Sequence, residues 1–142
     1  MNQASAAMHE ANALCARFER IVKQRANGDR LRVEQPRTLS AVCMIEIGGV
    51  AALLHIERGA IVNCTRELAL LTEWDFAVRG SCAAWRALWQ PLPPPGWHDL
   101  FALAKRGEMR FEGRLHPFMA HLQYFKDLLA LPRSGSERSA PQ

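Results

Sequence analysis

Histidine, cysteine and carboxylate side chains are the groups of this sequence that could hold a metal ion or act as nucleophiles and bases. The five histidines are spread along the chain at His9, His55, His98, His116 and His121. His116 and His121 are five residues apart, so their rings would project roughly 140° apart on a helix. Helices that bind metals use an i, i+4 pair instead. We therefore expect no metal site.

The four cysteines are Cys15, Cys43, Cys64 and Cys82, and no two of them form a C-x-x-C pair. In a cytosolic chain this spacing predicts reduced, mostly buried thiols. A nucleophilic cysteine paired with a distant histidine stays open at this stage, because such partners need not be close in sequence. The chain has no G-x-S-x-G, phosphate-binding or G-x-G-x-x-G motif. The residues thus offer no catalytic candidate and no cofactor motif, and we expect a protein that is not an enzyme.

Charged residues alternate near the end of the chain, at Glu108, Arg110, Glu112 and Arg114. Paired carboxylates can act as general acid and base, but alternating opposite charges are also usual on the solvent face of a strand. We favour a solvated ladder of ion pairs over a catalytic pair.

Length and charge narrow the class of protein further. The chain has 142 residues and a formal net charge of +4, which suits one domain. Its basic residues are dispersed among acidic ones, a pattern that favours a solvated surface with some affinity for anionic membranes or acidic partners over a nucleic-acid interface. No apolar run approaches the roughly 20 residues of a membrane span, and the start lacks a secretory signal. We therefore expect a soluble protein of the cytosol.

The elements that must position these residues follow from hydrophobic periodicity. A helix is expected over 10–26, with Leu14, Phe18, Ile21 and Val22 in one stripe, and residues 1–9 before it are expected to be frayed. A connecting loop over 29–39 leads to three strands, over 41–47, 50–57 and 60–64, with a Gly48-Gly49 turn between the first two. The helix and loop, residues 1–39, are expected to pack on a domain of residues 40–132, and 133–142 has the composition of a disordered tail.

The second half of the domain alternates strands and helices. A strand is expected over 73–79, with Trp74, Phe76 and Val78 on one face, followed by a helix that Ser81 caps. A proline run, 91–95, precedes a short helix over 97–105. A strand around Met109 and Phe111 and a closing helix over 116–131 complete the order. This order predicts an α+β fold in which helices cover one face of a mostly antiparallel, five-stranded sheet.

Four segments resemble the sterol-carrier-protein-2 (SCP2) family. They are the meander that ends in HIERGAIV within Leu53–Val62, the strand and helix WDFAVRGSCAAWRALW at Trp74–Trp89, LFALAKRGEMRFEG at Leu100–Gly113, and the closing helix Pro117–Leu131. The third segment is the most specific, because Gly107 and Gly113 bracket its strand. The proline run departs from the family, whose members commonly carry a short, helix-compatible loop there.

The resemblance implies a protein that holds an apolar ligand, such as a fatty acid, a sterol-like lipid or an isoprenoid, in a hydrophobic cavity between sheet and helices. Such a site needs bulky apolar walls and few polar atoms. The candidate wall residues are Trp74, Phe76, Trp85, Leu88, Trp89, Trp97, Leu100, Phe101, Met109, Phe111, Phe118, Leu122 and Phe125.

Three interpretations of these side chains stay open. They are ordinary core, cavity wall, or the face of a homodimer or partner complex. Two functions also stay open: a lipid-binding carrier, or an accessory protein of a lipid or quinone biosynthetic complex, as some bacterial members of the family are. A partner protein or a transient contact with an anionic membrane would accompany the second function.

Overall fold

A mixed five-stranded sheet forms the centre of the protein in this computed structural model, which describes residues 3–25, 36–66 and 72–133. The strands lie in the order β3-β2-β1-β4-β5. Their bounds are Ala41–Ile47 (β1), Val50–Glu57 (β2), Ala60–Thr65 (β3), Phe76–Gly80 (β4) and Met109–Gly113 (β5). Glycines 48 and 49 form the β1–β2 turn with positive φ angles of 57° and 96°, as the sequence predicts.

One strand pair corrects the prediction of a mostly antiparallel sheet. The central strands β1 and β4 run parallel, with Cys43 opposite Phe76 and Ile45 opposite Val78, whereas the other three pairs are antiparallel. Strand β3 occupies one edge of the sheet, and β4 lies on the far side of β1 and runs in the same direction as β1. Alternation of apolar residues reports which face is buried but carries no information on strand direction.

Five helices accompany the sheet among the described residues. Their bounds are Gln3–Arg25 (α1), Cys82–Leu88 (α2), Leu100–Lys105 (α3), His116–Ala120 (α4) and Leu122–Leu129 (α5). Helix α1 begins well before the predicted residue 10, so the prediction of a frayed segment over 1–9 is wrong from Gln3 onward. The Ser81 cap is confirmed, because its hydroxyl accepts from the Ala84 N–H at 3.0 Å.

Two helix bounds differ from the prediction for local reasons. Helix α3 begins at Leu100 rather than Trp97, because the Asp99 carboxylate caps it by accepting from the Phe101 N–H at 3.0 Å. The closing helix is split in two, because His121 has φ −125° and ψ 44°, outside the helical region.

The hydrophobic core lies between the helices and one face of the sheet. Alternate residues of the strands, such as Ile45, Leu54 and Val78, are fully buried there against Phe18 and Val22 of α1. Among the described residues no polar or charged side chain is buried. The helices thus cover one face, as the sequence predicts, and enclose an interior made mainly of apolar side chains.

The opposite face carries a small apolar cluster beside a row of ion pairs. Met44, Leu53 and Ala77 form the cluster. Beside them Arg79 bridges Glu46 at 3.5 Å and Glu112 at 2.8 Å. Glu112 also pairs with Arg110. The predicted ion pairs on this face are therefore confirmed for Glu112 and Arg110.

Parts of the chain for which the sequence makes predictions lie outside the described residues. They include most of the 29–39 loop and the tail after residue 133, so the proposed domain bounds stay predictions. In the part of the chain that is described, no helix has the length and apolar character needed to cross a membrane.

Candidate ligand-binding site

Trp85, Trp89 and Phe18 form one aromatic layer of the interior, named here the tryptophan layer. The Trp85 and Trp89 ring centroids are 5.5 Å apart, and Phe18 stacks on Trp89 at 6.0 Å. Both indoles are at most 1% exposed. The Trp85 N–H donates to the Glu46 carbonyl at 2.9 Å and the Trp89 N–H to the Leu129 carbonyl at 2.8 Å. The layer is therefore fixed by hydrogen bonds as well as by packing.

Gly80 makes room for this arrangement. A Cβ atom added at Gly80 would stand 2.6 Å from the Trp85 indole nitrogen and 3.1 Å from the Met109 methyl carbon. Any side chain at position 80 would therefore push the indole away from the sheet and break its hydrogen bond to Glu46.

Five phenylalanines form a second aromatic group, named here the phenylalanine cluster. Phe118 is its hub, with centroid distances of 5.1 Å to Phe111, 5.4 Å to Phe76, 5.6 Å to Phe125 and 6.3 Å to Phe101. Phe76 also meets Phe125 edge-on at 5.2 Å, and Phe101 meets Phe111 at 5.4 Å. These rings have no polar atom, so only van der Waals contact and ring quadrupoles hold them.

The cluster runs from the deep core to the surface. Phe76, Phe118 and Phe125 are fully buried, whereas Phe101 on α3 and Phe111 on the edge strand β5 are partly exposed. An apolar molecule that reached Phe101 and Phe111 would therefore meet a continuous path of hydrocarbon rings into the interior.

Helix α4 carries the hub of this cluster on a short element. It has five residues, with Pro117 in its first turn, and the preceding Leu115 offers no side-chain cap. The nonhelical His121 separates it from α5 and provides no side-chain cap either. A helix this short gains little stability from its own backbone, so the burial of Phe118 is what mainly holds α4 in place.

A cleft of about 190 Å³ lies between residues of α3 and α5. Leu88 and Leu100 are apolar residues of its lining, and its charged residues are Asp99, Lys126, Asp127 and Arg133. These two positive and two negative charges cancel. The cleft and the cluster meet at Lys126, whose ammonium nitrogen lies 5.5 Å from the Phe101 ring centroid.

The rim charges of the cleft are bound to one another and to the backbone. Lys126 pairs with Asp99 at 2.8 Å. Burial raises the pKa of Asp99, but the bonds from Lys126 and from the Phe101 and Ala102 amides outweigh it, so the pKa lies below its usual value. The Arg133 side chain donates to the Leu88 carbonyl at 3.0 Å. A ligand would therefore meet a polar rim that has no excess charge.

The remaining candidate residues are distributed less compactly than the sequence suggests. Met109 is buried in the main core, and Leu122 is partly buried and packs against that core. Trp74 lies with Met44 on the opposite face, beneath the Arg79 guanidinium at 5.9 Å. The prediction that Trp74 shares a face with Phe76 is wrong, because the strand begins only at Phe76 and the pleat does not extend back to Trp74.

Trp97 is separate from the two buried tryptophans. It packs at the margin of the core beneath the Arg106 guanidinium, 4.9 Å from its ring centroid. No ring contact within the described ranges joins it to Trp85 or Trp89. Of the three candidate tryptophans on either side of the proline run, Trp85 and Trp89 are therefore in ring contact and Trp97 lies apart from them.

Reactive chemistry finds little support in the arrangement of the described residues. No three His, Cys, Asp or Glu side chains among them are grouped to hold a metal ion. Burial raises the pKa of Cys15 to about 11 and that of Cys64 to about 12, so both thiols stay protonated and weakly nucleophilic near neutral pH.

Sequence reasoning missed the Asp99–Lys126 rim. The position of Asp99 directly before an apolar helical repeat is a capping signal that could have identified its role in α3. The pairing with Lys126, 27 positions later, depends on how α3 and α5 pack and has no signal in the sequence.

Comparisons with known proteins show the fold but no closer relationship. No model of a known protein family matches the sequence, and no curated protein matches it. Among solved structures, a sterol carrier protein 2 matches with a TM-score of 0.59 and 17% identity over 85% of this chain and 94% of its own. A protein described as UbiJ-SCP2, a ubiquinone synthesis protein, matches with a TM-score of 0.56 and 18% identity over 85% and 96%.

A third similar structure is a conserved hypothetical protein from Thermus thermophilus, described as possibly a sterol carrier protein. Its TM-score is 0.53 at 17% identity, over 87% of this chain and 86% of that one. The chain thus has the fold of the SCP2 domains across most of its length, which confirms the resemblance predicted from the four sequence segments.

Proposed function

We propose that this protein binds an apolar, lipid-like molecule between its sheet and helices, and that it performs no chemistry on it. The observation that carries the proposal is the phenylalanine cluster, which extends from the fully buried Phe76 to the partly exposed Phe101 and Phe111 without one polar atom. The SCP2 fold supports it, since one similar structure is named for sterol carriage.

Binding requires the rings of the cluster to move, because they are now in contact with one another. An apolar ligand would replace ring–ring contacts by ligand–ring contacts and would itself leave water, at about 25 cal/mol per Å² of apolar surface buried. Helix α4 is the element suited to move, since it is short, lacks side-chain caps and carries the hub Phe118. Displacement of α4 would open the cluster while the sheet stayed intact.

The rim indicates the class of ligand. A fatty acid brings a carboxylate, which would have to displace Asp99 from Lys126 or stand beside Asp127. A sterol-like or isoprenoid molecule with a hydroxyl or carbonyl head needs only a hydrogen bond there. Because the rim charges cancel, we favour an uncharged head group over an anionic one.

A second candidate function is that of an accessory protein in a lipid or quinone biosynthetic complex. One similar structure is described as a ubiquinone synthesis protein. The specific observation in its favour is an exposed, proline-rich loop around Leu92, which is 88% exposed. Both functions are compatible with one chain, because the loop lies outside the phenylalanine cluster.

Native mass spectrometry of the purified protein tests the binding proposal. We expect a one-to-one adduct with farnesol or cholesterol, and a weaker one with palmitate. Phe111→Arg places a cation at the mouth of the cluster and should weaken farnesol uptake at least tenfold. Val62→Arg is the matched control, because Val62 is exposed on the other edge strand and should leave uptake unchanged.

Two results would refute the proposal. One is a wild-type protein that takes up none of the three ligands and yields no lipid on solvent extraction. The other is equal loss of uptake in Phe111→Arg and Val62→Arg, which would indicate a site elsewhere.

A further inference from the structure

The loop between α2 and α3 displays a single large apolar side chain to solvent. Leu92 is flanked by Pro91 and Pro93 and is 88% exposed, the highest value among the exposed large hydrophobic residues described. The ring of each proline fixes φ near −65°, and Pro93 also restricts the backbone of Leu92 before it. The loop therefore presents Leu92 in few conformations.

Arg106 clamps the base of this loop. Its guanidinium lies over the Trp97 ring at 4.9 Å, and its Nε donates to the Gly96 carbonyl at 3.0 Å. A Cβ atom at Gly96 would stand 2.7 Å from that guanidinium, and Gly96 has a positive φ of 83°, so glycine is required there. The clamp and the prolines together preorganise the loop before any partner arrives.

The backbone of the loop is rich in acceptors and poor in donors. Four of the residues from 91 to 95 are prolines and have no N–H. Among the described residues, one carbonyl of the segment 91–95 accepts a hydrogen bond. It is the Pro94 carbonyl, which accepts from the Trp97 N–H at 2.9 Å. The other carbonyls of this segment face no described donor, so a partner that offers donors beside an apolar pocket would complement them.

A protein groove fits this chemistry better than a membrane. Residues 90–96 contain no charged side chain, so the loop itself has no attraction for anionic lipid. Leu92 is its one large apolar side chain, whereas insertion into hydrocarbon would also bury unpaired carbonyls at a cost of several kcal/mol each. Aromatic grooves, in contrast, bind proline-rich segments through apolar contact and indole or phenol donors.

We infer that residues 91–95 are a docking segment for a partner protein whose surface has a groove lined by tryptophan or tyrosine, with Leu92 as the anchor. The inference does not depend on ligand binding at the phenylalanine cluster. Failure of lipid uptake and failure of docking would therefore be observed separately.

The test uses the full chain in its own host cells, with the photo-crosslinking residue p-benzoylphenylalanine in place of Leu92 or, as control, of Val62. We expect a protein adduct from position 92 that is absent from position 62. The crosslinked protein is then identified, purified and titrated calorimetrically with wild-type, L92S, R106Q and V62S chains.

The titrations separate anchoring from general surface effects. L92S should weaken binding at least tenfold with an unchanged melting temperature, because Leu92 makes almost no contact in the folded chain. R106Q should weaken it about threefold to tenfold by loosening the loop, and V62S should remain within twofold of wild type. Absence of a protein adduct at position 92, or wild-type affinity of L92S, would overturn the inference.

Sedimentation with vesicles distinguishes the membrane alternative. Vesicles of phosphatidylethanolamine and phosphatidylglycerol should sediment wild-type and L92S chains equally. Sedimentation of wild type alone, or a lipid adduct at position 92, would overturn the protein partner in favour of a membrane.

Discussion

The tryptophan layer and the phenylalanine cluster are both aromatic and both buried, yet they are held in different ways. Trp85 and Trp89 each donate an indole N–H to a backbone carbonyl. The rings of the phenylalanine cluster have no such bond, and two of them reach the surface at Phe101 and Phe111. Hydrogen bonds have strict geometry, whereas hydrocarbon rings that meet tilted or edge-on, as those of the cluster do, are held by many weak contacts without strict geometry.

We infer from this difference that the two aromatic groups have different roles within one core. The tryptophan layer joins α1, α2 and the sheet into a fixed half. The phenylalanine cluster, whose hub lies on the short α4, is the half in which a proposed ligand could replace ring contacts.

Removal of Trp85 should damage the fixed half most. Trp85→Ala deletes a fully buried indole and leaves the Glu46 carbonyl without its donor, so we expect the free energy of unfolding to fall by about 4 kcal/mol. Urea denaturation followed by circular dichroism measures it. A loss of about 3 kcal/mol or less, the value expected for removal of Phe118, would show that this half is as adaptable as the other.

Removal of Phe118 should destabilise the protein less than removal of Trp85 does, and it should not reduce ligand uptake. Phe118→Ala should lower the free energy of unfolding by about 3 kcal/mol, because the short α4 can partly collapse onto the space. The enlarged apolar site should retain or increase farnesol uptake in native mass spectrometry. Met119→Ala at the exposed neighbouring position is the control, and loss of uptake in a folded Phe118→Ala protein would contradict the proposal.

A milder change removes the hydrogen bond of Trp89 and keeps an aromatic ring at its position. Trp89→Phe keeps an aromatic ring but removes the N–H that the Leu129 carbonyl accepts, which should cost about 1–2 kcal/mol by urea denaturation. Phe125→Leu, which removes no hydrogen bond, is the counterpart in the cluster. A neutral Trp89→Phe would mean that packing alone positions the layer.

Thiol labelling reports whether the fixed half ever opens. Burial raises the pKa of Cys15 and Cys64 to about 11 and 12, above the usual value near 9. Both should therefore react far more slowly with iodoacetamide at pH 8 than Cys82, which is only partly buried. Labelling is read by mass spectrometry, and rapid reaction of Cys15 would indicate frequent opening of α1.

The same thiols set an expectation for alkaline stability. Their folded pKa values, about 11 and 12, exceed the unfolded value of 9.0, so the folded state retains protons that the unfolded state releases above that pH. The stabilisation is complete below the unfolded pKa and declines as the pH rises above it, until it is lost once the pH has passed through the two folded values. Urea denaturation between about pH 8 and 10.5 should show this fall, and a C15S/C64S double variant should show less of it.

The sequence was sufficient for the elements but not for their arrangement. Hydrophobic periodicity and the Gly48-Gly49 turn predict the bounds of β1 and β2, and Ser81 predicts the start of α2, because these signals are local. The parallel pairing of β1 with β4 and the separation of Trp97 from Trp85 depend on long-range topology. The break at His121 was missed because the apolar stripe of Phe118, Leu122 and Phe125 continues across it.

The candidate site was predictable in type and only partly in place. Spacing predicts Phe101, Phe111, Phe118 and Phe125 as apolar residues of a short helix, a strand and the closing helix, and the structure brings them together. The same reasoning gave equal weight to Trp85 and Trp89, since exposure and indole partners cannot be read from spacing. Trp74 was assigned to the wrong face because alternation was extended past the first residue of β4.

Nuclear magnetic resonance during titration with farnesol observes the two halves of the core separately, because each half has its own reporter. The indole N–H signals of Trp85 and Trp89 report the tryptophan layer, and ring signals of Phe101, Phe111 and Phe118 report the cluster. We expect saturable shifts of the phenylalanine signals while both indole signals stay in place. Shifts of the indole signals with unmoved phenylalanines, or no saturable shift in either half, would contradict the account.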